Sequence, residues 1–149
     1  MHVRQATVFD IDSIAPLLDG YRQFYGQASD MVRGHKFLVE RFAHQQSVVF
    51  IAFDEGESAV GFTQLYPMYS TVRTTRTYVL NDLFVATGVR RRRVGEKLLA
   101  AAVEFARANG AASLSLQTAV DNHQAQSLYE TLGWKRDERF YEYTFELNS

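Results

Sequence analysis

Leu83-Phe84-Val85-Ala86-Thr87-Gly88-Val89-Arg90-Arg91-Arg92-Arg93-Val94-Gly95 carries an apolar strand through a short basic turn into a helix. Placing residues at ~100° per position gathers Val94, Leu98, Leu99, Ala101, Ala102, Phe105 and Ala106 on one arc, with Arg93, Glu96, Lys97, Glu104 and Arg107 opposite. The spacing predicts an amphipathic helix over 94–109, closed by Gly110 as its C-terminal cap and lying on a sheet. A helix entered this way presents free backbone N–H groups and a positive dipole end, which suits a phosphate. Gly95 admits a ligand close to the backbone, and the arginines add fixed charge. Four consecutive arginines also fit a solvated face or a nucleic-acid patch, but these stand between a strand and a helix and not in a tail.

Working outward, Thr75 to Val85 is the strand that enters this turn. Ser47 to Phe53 and Ser58 to Tyr66 are β-branched and aromatic runs joined by Asp54-Glu55-Gly56-Glu57, a hairpin signal. Before them, His2 to Val8 alternates like a strand, and Asp10 is placed to cap a helix with Ile11, Ile14, Leu17, Leu18 and Tyr21 at helical spacing. A second helix covers 31–44, with Phe37, Leu38, Arg41 and Phe42 on one side. Downstream, Ala112 to Thr118 reads as a strand, Asn122 to Leu132 as a helix, and Trp134 to Leu147 as a final strand or hairpin rich in Phe and Tyr. The fold class is α/β: a mixed, mostly antiparallel sheet of about six to seven strands flanked by about four helices, with a βαβ crossover late.

The chain's 149 residues, 46% of them hydrophobic, predict a single domain over 1–149 with one core. A formal net charge of −1 supplies no field that would draw the whole protein to nucleic acid or an anionic membrane, and neither partner is expected. The absence of cysteine excludes thiolate metal sites and every acyl-cysteine mechanism. The start Met1-His2-Val3-Arg4-Gln5-Ala6-Thr7 has no apolar signal core, and the run Val48 to Phe53 is far short of the ~18 residues of a membrane span, so a soluble cytoplasmic protein is expected. The four histidines lack metal-ligand spacing, so no metal is expected, and neither a Gly-x-Ser-x-Gly elbow nor a Gly-Lys-Ser/Thr phosphate loop is present.

A second constellation is Asn122-His123-Gln124-Ala125-Gln126-Ser127-Leu128-Tyr129-Glu130-Thr131-Leu132-Gly133-Trp134. Asn122, Ala125 and Tyr129 stand at i, i+3 and i+7, which sets an amide, a small residue and a phenol on one helical face along which a ligand could lie. The alternative is that Asn122 caps the helix and Tyr129 is a half-buried packing residue.

Together the two segments resemble the GNAT superfamily of acetyl-coenzyme A-dependent N-acetyltransferases, over essentially the whole chain. The family's loop pattern Gln/Arg-x-x-Gly-x-Gly/Ala falls on Arg90 to Gly95, with Arg93 where the family has glycine. Its Asn-x-x-Ala-x-x-x-Tyr-x-x-x-Gly-Phe/Trp pattern falls on Asn122 to Trp134. The resemblance implies a GNAT fold using acetyl-CoA as co-substrate in a V-shaped opening between the strand ending at Val85 and the strand 112–118. The backbone of Phe84 and Val85 would pair with the pantetheine arm. Arg90, Arg91, Arg92, Arg93, Val94, Gly95 and Glu96 would form the pyrophosphate loop, with the amides from Arg91 to Glu96 as donors. Asn122 and Ala125 would touch the arm from the other side, and Tyr129 would protonate the leaving thiolate.

Within the superfamily, Val79-Leu80-Asn81-Asp82-Leu83-Phe84-Val85 and Phe24-Tyr25-Gly26 look like the branch of polyamine and thialysine acetyltransferases and related histone/polyamine enzymes. That branch carries Glu-Asp where this chain has Asn81-Asp82, so Asp82 is the remaining carboxylate for a general base, although on a regular strand it faces away from Asn81. Acceptor-binding candidates are Tyr21, Phe24, Tyr25, Tyr66 and Asn81, with Tyr69 nearby, because aromatic walls suit an amine. The expected activity is direct acetyl transfer to a primary amine of a small molecule, polyamine-like or amino-acid-like, by a homodimer. The alternatives are acetylation of a protein lysine or N-terminus, and a non-catalytic acyl-CoA-binding module.

Overall fold

The β-branched and aromatic runs form the strands expected of them, and the computed structural model describes residues 1–89 and 93–148. Contacts divide the chain into two compact units, Met1–Gln117 and Thr118–Ser149. The first holds a five-stranded sheet in the order β1-β2-β3-β4-β5, with β1 at His2–Gln5, β2 at Val48–Phe53, β3 at Ala59–Ser70, β4 at Thr75–Val85 and β5 at Leu114–Ser115. Pairing is antiparallel from β1 to β4 and parallel between β4 and β5, as a crossover through a helix requires. The helices of this unit are α1 (Ile11–Phe24), α2 (Met31–Ala43) and α3 (Val94–Ala108).

Neighbouring residues of one strand show which helix covers which face. Phe62 meets Tyr21 of α1, whereas a Cβ on Gly61 would stand 3.1 Å from Val94 and 3.3 Å from Leu98 of α3. On the α1 face, Ile14, Leu17, Leu18, Leu38, Val49, Ile51 and Phe62 form one buried cluster. On the other, Val94, Leu98, Leu99, Ala102 and Ala106 of α3 are buried, as the arc predicts, and Phe105 packs edge-on against Phe50 and Tyr78. Each such aliphatic or aromatic side chain contributes about 1.5–3 kcal/mol by leaving water. Gly110 closes α3 with φ +70°, its N–H donating to Arg107 O and the next N–H to Ala106 O.

Three expectations are corrected. Asp10 does not cap α1 with its side chain. It stands at the end of a 3₁₀ turn, Val8–Asp10, capped by Thr7, and its carboxylate accepts from Thr7 N–H and from both Arg4 terminal nitrogens, each at 2.8 Å. The Arg4 hydrogen bond holds this carboxyl down at about 2. The strand expected over 112–118 shrinks to Leu114–Ser115, because its ladder with β4 ends after two pairs, Tyr78↔Leu114 and Val79↔Ser115.

The third correction lies in the second unit. It contains α4 (His123–Thr131) and, beyond it, no strand among the described residues 134–148. The run expected to be a strand or hairpin leaves Phe140, Tyr141, Tyr143, Phe145 and Leu147 exposed, so the sheet has five strands and not six to seven. Aromatic and β-branched composition describes a side chain that fits a pleated surface, and without a partner there is no ladder to form. Among the described residues no helix is long and apolar enough to cross a membrane, and no group of three or more His, Asp or Glu is placed to hold a metal ion.

Candidate active site

The site is organised by an irregularity in the β3–β4 ladder. Gln64 pairs with Asp82 but Leu65 pairs with Leu80, so Asn81 is an extra residue, a β-bulge. A bulge reverses the alternation of faces. Upstream of it Tyr78 points to Phe105 of α3, and downstream Phe84 points to Tyr21 of α1, although both positions are even-numbered. The expectation that Asp82 faces away from Asn81 therefore fails, and Asn81 Nδ2 donates to Asp82 Oδ1 at 3.1 Å. The bulge comes two residues after Val79, the last β4 residue paired to β5. Beyond that pair β5 has ended, so Asn81 to Val85 has no ladder partner on that side among the described residues.

Asp82 is 8% exposed and is held, among the described residues, by neutral groups alone: Gln64 Nε2 donates to Oδ2 at 2.9 Å, and Thr63 Oγ1 donates to the main-chain carbonyl at 2.8 Å. Burial pushes the Asp82 carboxyl up, against the lowering effect of hydrogen bonds from Gln64, Asn81 and Tyr21. The same burial, with the Asp82 charge second, raises the Tyr21 phenol and takes the Tyr66 phenol to about 12. Both phenols therefore stay protonated at neutral pH. Around them the rings pack edge to face, Tyr21 to Tyr25 at 5.1 Å and Phe24 to Tyr25 at 5.3 Å. The structure thus gathers Asn81, Asp82, Tyr21, Tyr25 and Tyr66 into one neighbourhood. Phe24 forms its exposed rim, and Tyr69 is elsewhere, against Arg76.

Gln64 was not among the sequence candidates. Its signal was an amide inside the apolar run Val60-Gly61-Phe62-Thr63-Gln64-Leu65, where a polar side chain 1% exposed must have a partner or a use.

The basic turn leads to the second element of the site. Arg90, Arg91 and Arg92 lie outside the described residues. Arg93 is the N-terminal cap residue of α3 with φ +58° and ψ 29°, the left-handed conformation that favours glycine. This accounts for a glycine-preferring position without reference to a ligand. The Arg93 side chain makes no capping hydrogen bond to α3, so among the described residues the amides of Val94, Gly95 and Glu96 are left to an anion at the positive end of a 15-residue helix. A Cβ on Gly95 would meet only Val85 Cγ2, at 3.9 Å, so internal packing does not demand glycine there. Val94, by contrast, is fully buried against Gly61 and contributes its backbone alone. Phe84 and Val85 end β4 past the point where β5 pairs with it.

In the second unit, much of the Asn122–Trp134 pattern is the grammar of helix ends. Asn122 caps α4, its Oδ1 accepting from Ala125 N–H at 3.2 Å. Gly133, at φ +98°, ends the helix: its N–H donates to Glu130 O, and Trp134 N–H reaches back to Tyr129 O at 2.9 Å. The Trp134 and Tyr129 rings stand 6.2 Å apart, completing that closure, and Tyr129 is half-buried.

β4, bulged at a buried carboxylate and followed by a helix whose N-cap side chain makes no capping hydrogen bond, sets a carboxylate and an anion-binding helix end on one α/β sheet. The chain belongs to the GNAT acetyltransferase family, whose model, described as "Acetyltransferase (GNAT) family", matches residues 14–134, and it is an N-acetyltransferase. It is 47% identical over 143 residues to the "Uncharacterized N-acetyltransferase YhfO" of Bacillus subtilis (strain 168), spanning 96% of this chain and 95% of that one. A "Probable acetyltransferase" of Haemophilus influenzae is 32% identical over 148 residues, 99% of this chain and 98% of the other. A crystal structure of a probable acetyltransferase superposes with a TM-score of 0.94 at 39% identity, covering 100% of this chain and 99% of its own.

Proposed function

We propose that this protein, acting as a single domain over 1–149, transfers the acetyl group of acetyl-CoA directly to a primary amine of a small molecule. The observation that carries this reading is Asp82: a buried carboxylate held, among the described residues, by neutral donors only, set at the bulge where β4 runs past its last pair with β5. Acetyl-CoA supplies an activated acyl group on sulfur. The α3 amides from Val94 to Glu96, with the arginines of the turn, hold its pyrophosphate, and the Phe84–Val85 backbone aligns the pantetheine arm. Asn122 and Ala125 support that arm from their own helix.

Asp82 accepts a proton from the acceptor amine, which frees the nitrogen lone pair; a carbon–nitrogen bond forms as the carbon–sulfur bond breaks. Tyr129 holds a phenolic proton for the departing sulfur. Without cysteine there is no thiol to carry the acyl group, and a direct transfer follows. Tyr21, Phe24, Tyr25, Tyr66 and Asn81 wall the acceptor site. A homodimer is the assembly we propose, supported by the exposed aromatic run 140–147. The cytoplasm is the compartment we propose.

The test is cofactor binding followed by turnover. Acetyl-CoA at a hundredfold excess over its dissociation constant is expected to stabilise the protein by about 2.7 kcal/mol, seen as a raised melting temperature. Pantetheine, which lacks the pyrophosphate, should do much less. No shift at millimolar acetyl-CoA overturns the reading, and thiol release against a panel of amines, amino acids, aminoglycosides and basic peptides assigns the acceptor.

A further inference from the structure

Three buried polar atoms lack a hydrogen-bond partner among the described residues: Arg41 Nε, Ser47 Oγ and Gln64 Oε1. They come from different elements, yet all are neighbours of Tyr66. The Gln64 amide and the Arg41 charge both act on the Tyr66 phenol, lowering it against burial. Ser47 directly precedes β2, and extending the register from Val48↔Leu65 sets it opposite Tyr66. The end of α2 brings Arg41 to Ser47, because Gln46 N–H donates back to Arg41 O at 2.9 Å. Strand alternation then gives the direction: Val49 and Ile51 face the α1 cluster, and so do Ser47, Gln64 and Tyr66.

The charges around this cluster are split. Asp82 lies on one side, with no cationic side chain paired to it among the described residues. On the other is Arg41, stacked 4.5 Å from the Phe37 ring and, among the described residues, ion-paired only to the adjacent Glu40, at 3.5 Å. Buried donors and acceptors left unpaired are destabilising, so a cluster of them beside a reactive site is accounted for by a group that binds there.

We propose that the acceptor is an amino carboxylate: its ammonium is taken by Asp82 and Gln64 Oε1, and its carboxylate by Arg41 Nε–H and Ser47 Oγ–H. This rests on the acetyltransferase reading above and narrows it. A diamine or polyamine would bring its distal cation to Arg41 and is disfavoured by like charge.

The test compares matched pairs that differ only in the carboxylate, such as lysine with cadaverine, ornithine with putrescine and alanine with ethylamine, by thiol release from acetyl-CoA. The carboxylate member is expected to have the higher kcat/KM, by roughly 10- to 100-fold, the worth of a charge-assisted hydrogen bond. Arg41→Met should bring that ratio toward one, Arg41→Lys should restore part of it, and Ser47→Ala should lower it less. The ratio cancels any general loss of folded enzyme. Should Arg41→Met not fold, protection of the wild-type protein against thermal unfolding by the amino acid and not by its decarboxylated partner reads the same preference. A ratio at or below one in the wild type, or a ratio untouched by Arg41→Met, overturns the proposal. Acetyl-CoA binding with a preference for amines lacking the carboxylate would sink this inference and leave the enzyme reading standing; no acetyl-CoA binding would sink both.

Discussion

Residues 1–117 and 118–149 carry comparable signals in sequence, and their structures differ in kind. The first unit turns its β-branched and aromatic runs into paired strands with a core sealed on both faces. In the second, α4 has no buried residue, and an equally aromatic run from Phe140 to Leu147 forms no strand and is exposed. Strand composition in β2, β3 and β4 succeeds because each finds a ladder partner and a helix to cover one face. The terminal run has neither among the described residues, so the same composition yields an apolar surface. The residues we propose for the chemistry are divided as well: Asp82, the first turn of α3 and the aromatic rings Tyr21, Phe24, Tyr25 and Tyr66 lie in the first unit, and Tyr129 in the second.

The sharpest way to break this division is at Asp82. Asp82→Asn keeps the shape and the contact with Gln64 but cannot take a proton, and kcat/KM should fall by roughly 10² to 10⁴. In the wild type the acid limb of kcat/KM should lie above the ordinary carboxylate range, because burial raises this group and it acts only when ionised. Asp82→Asn should abolish that limb. A limb that persists assigns the base elsewhere.

Next in size is a comparison of packing. Leu98→Ala, at a fully buried site on α3, should cost about 2–5 kcal/mol in urea unfolding, at every protein concentration. Phe145→Ser should leave that core alone and act through assembly, costing more than about 1 kcal/mol of dimer affinity in sedimentation, as an interface aromatic does. If Phe145→Ser changes neither stability nor assembly, the terminal run is solvent-facing surface and the dimer must use another face.

Tyr129→Phe removes one oxygen from the second unit. We expect kcat to fall about a hundredfold with acetyl-CoA affinity nearly unchanged, the pattern of a lost proton donor. A matching loss of stability and binding would make Tyr129 a packing residue beside Trp134.

The smallest effect is expected at Arg93. Relief of the left-handed backbone is worth about 1–2 kcal/mol, and it outweighs an exposed ion pair to Glu96 at 3.8 Å and the added freedom of glycine in the unfolded chain. Arg93→Gly should therefore gain about 0.5–1 kcal/mol in thermal unfolding and retain acetyl-CoA binding. Loss of binding in Arg93→Gly, with Gly95→Val tolerated, would mean that the register of the phosphate loop is different.

What was legible without coordinates was local. The amphipathic arc of α3, the Gly110 cap, the hairpin between β2 and β3, and Asn122 and Gly133 at the ends of α4 all depend on residues within one or two turns of each other. Periodicity and cap chemistry record such neighbours directly. Three features depended on partners far away in the chain. The bulge at Asn81 reverses the faces of β4 because β3, 18 residues earlier by the Gln64↔Asp82 pairing, sets the register. Gln64 became a site residue only when that register set it against Asp82. The run 134–147 had the composition of a strand, but a strand is a pairing between two segments, and no property of one segment supplies the other.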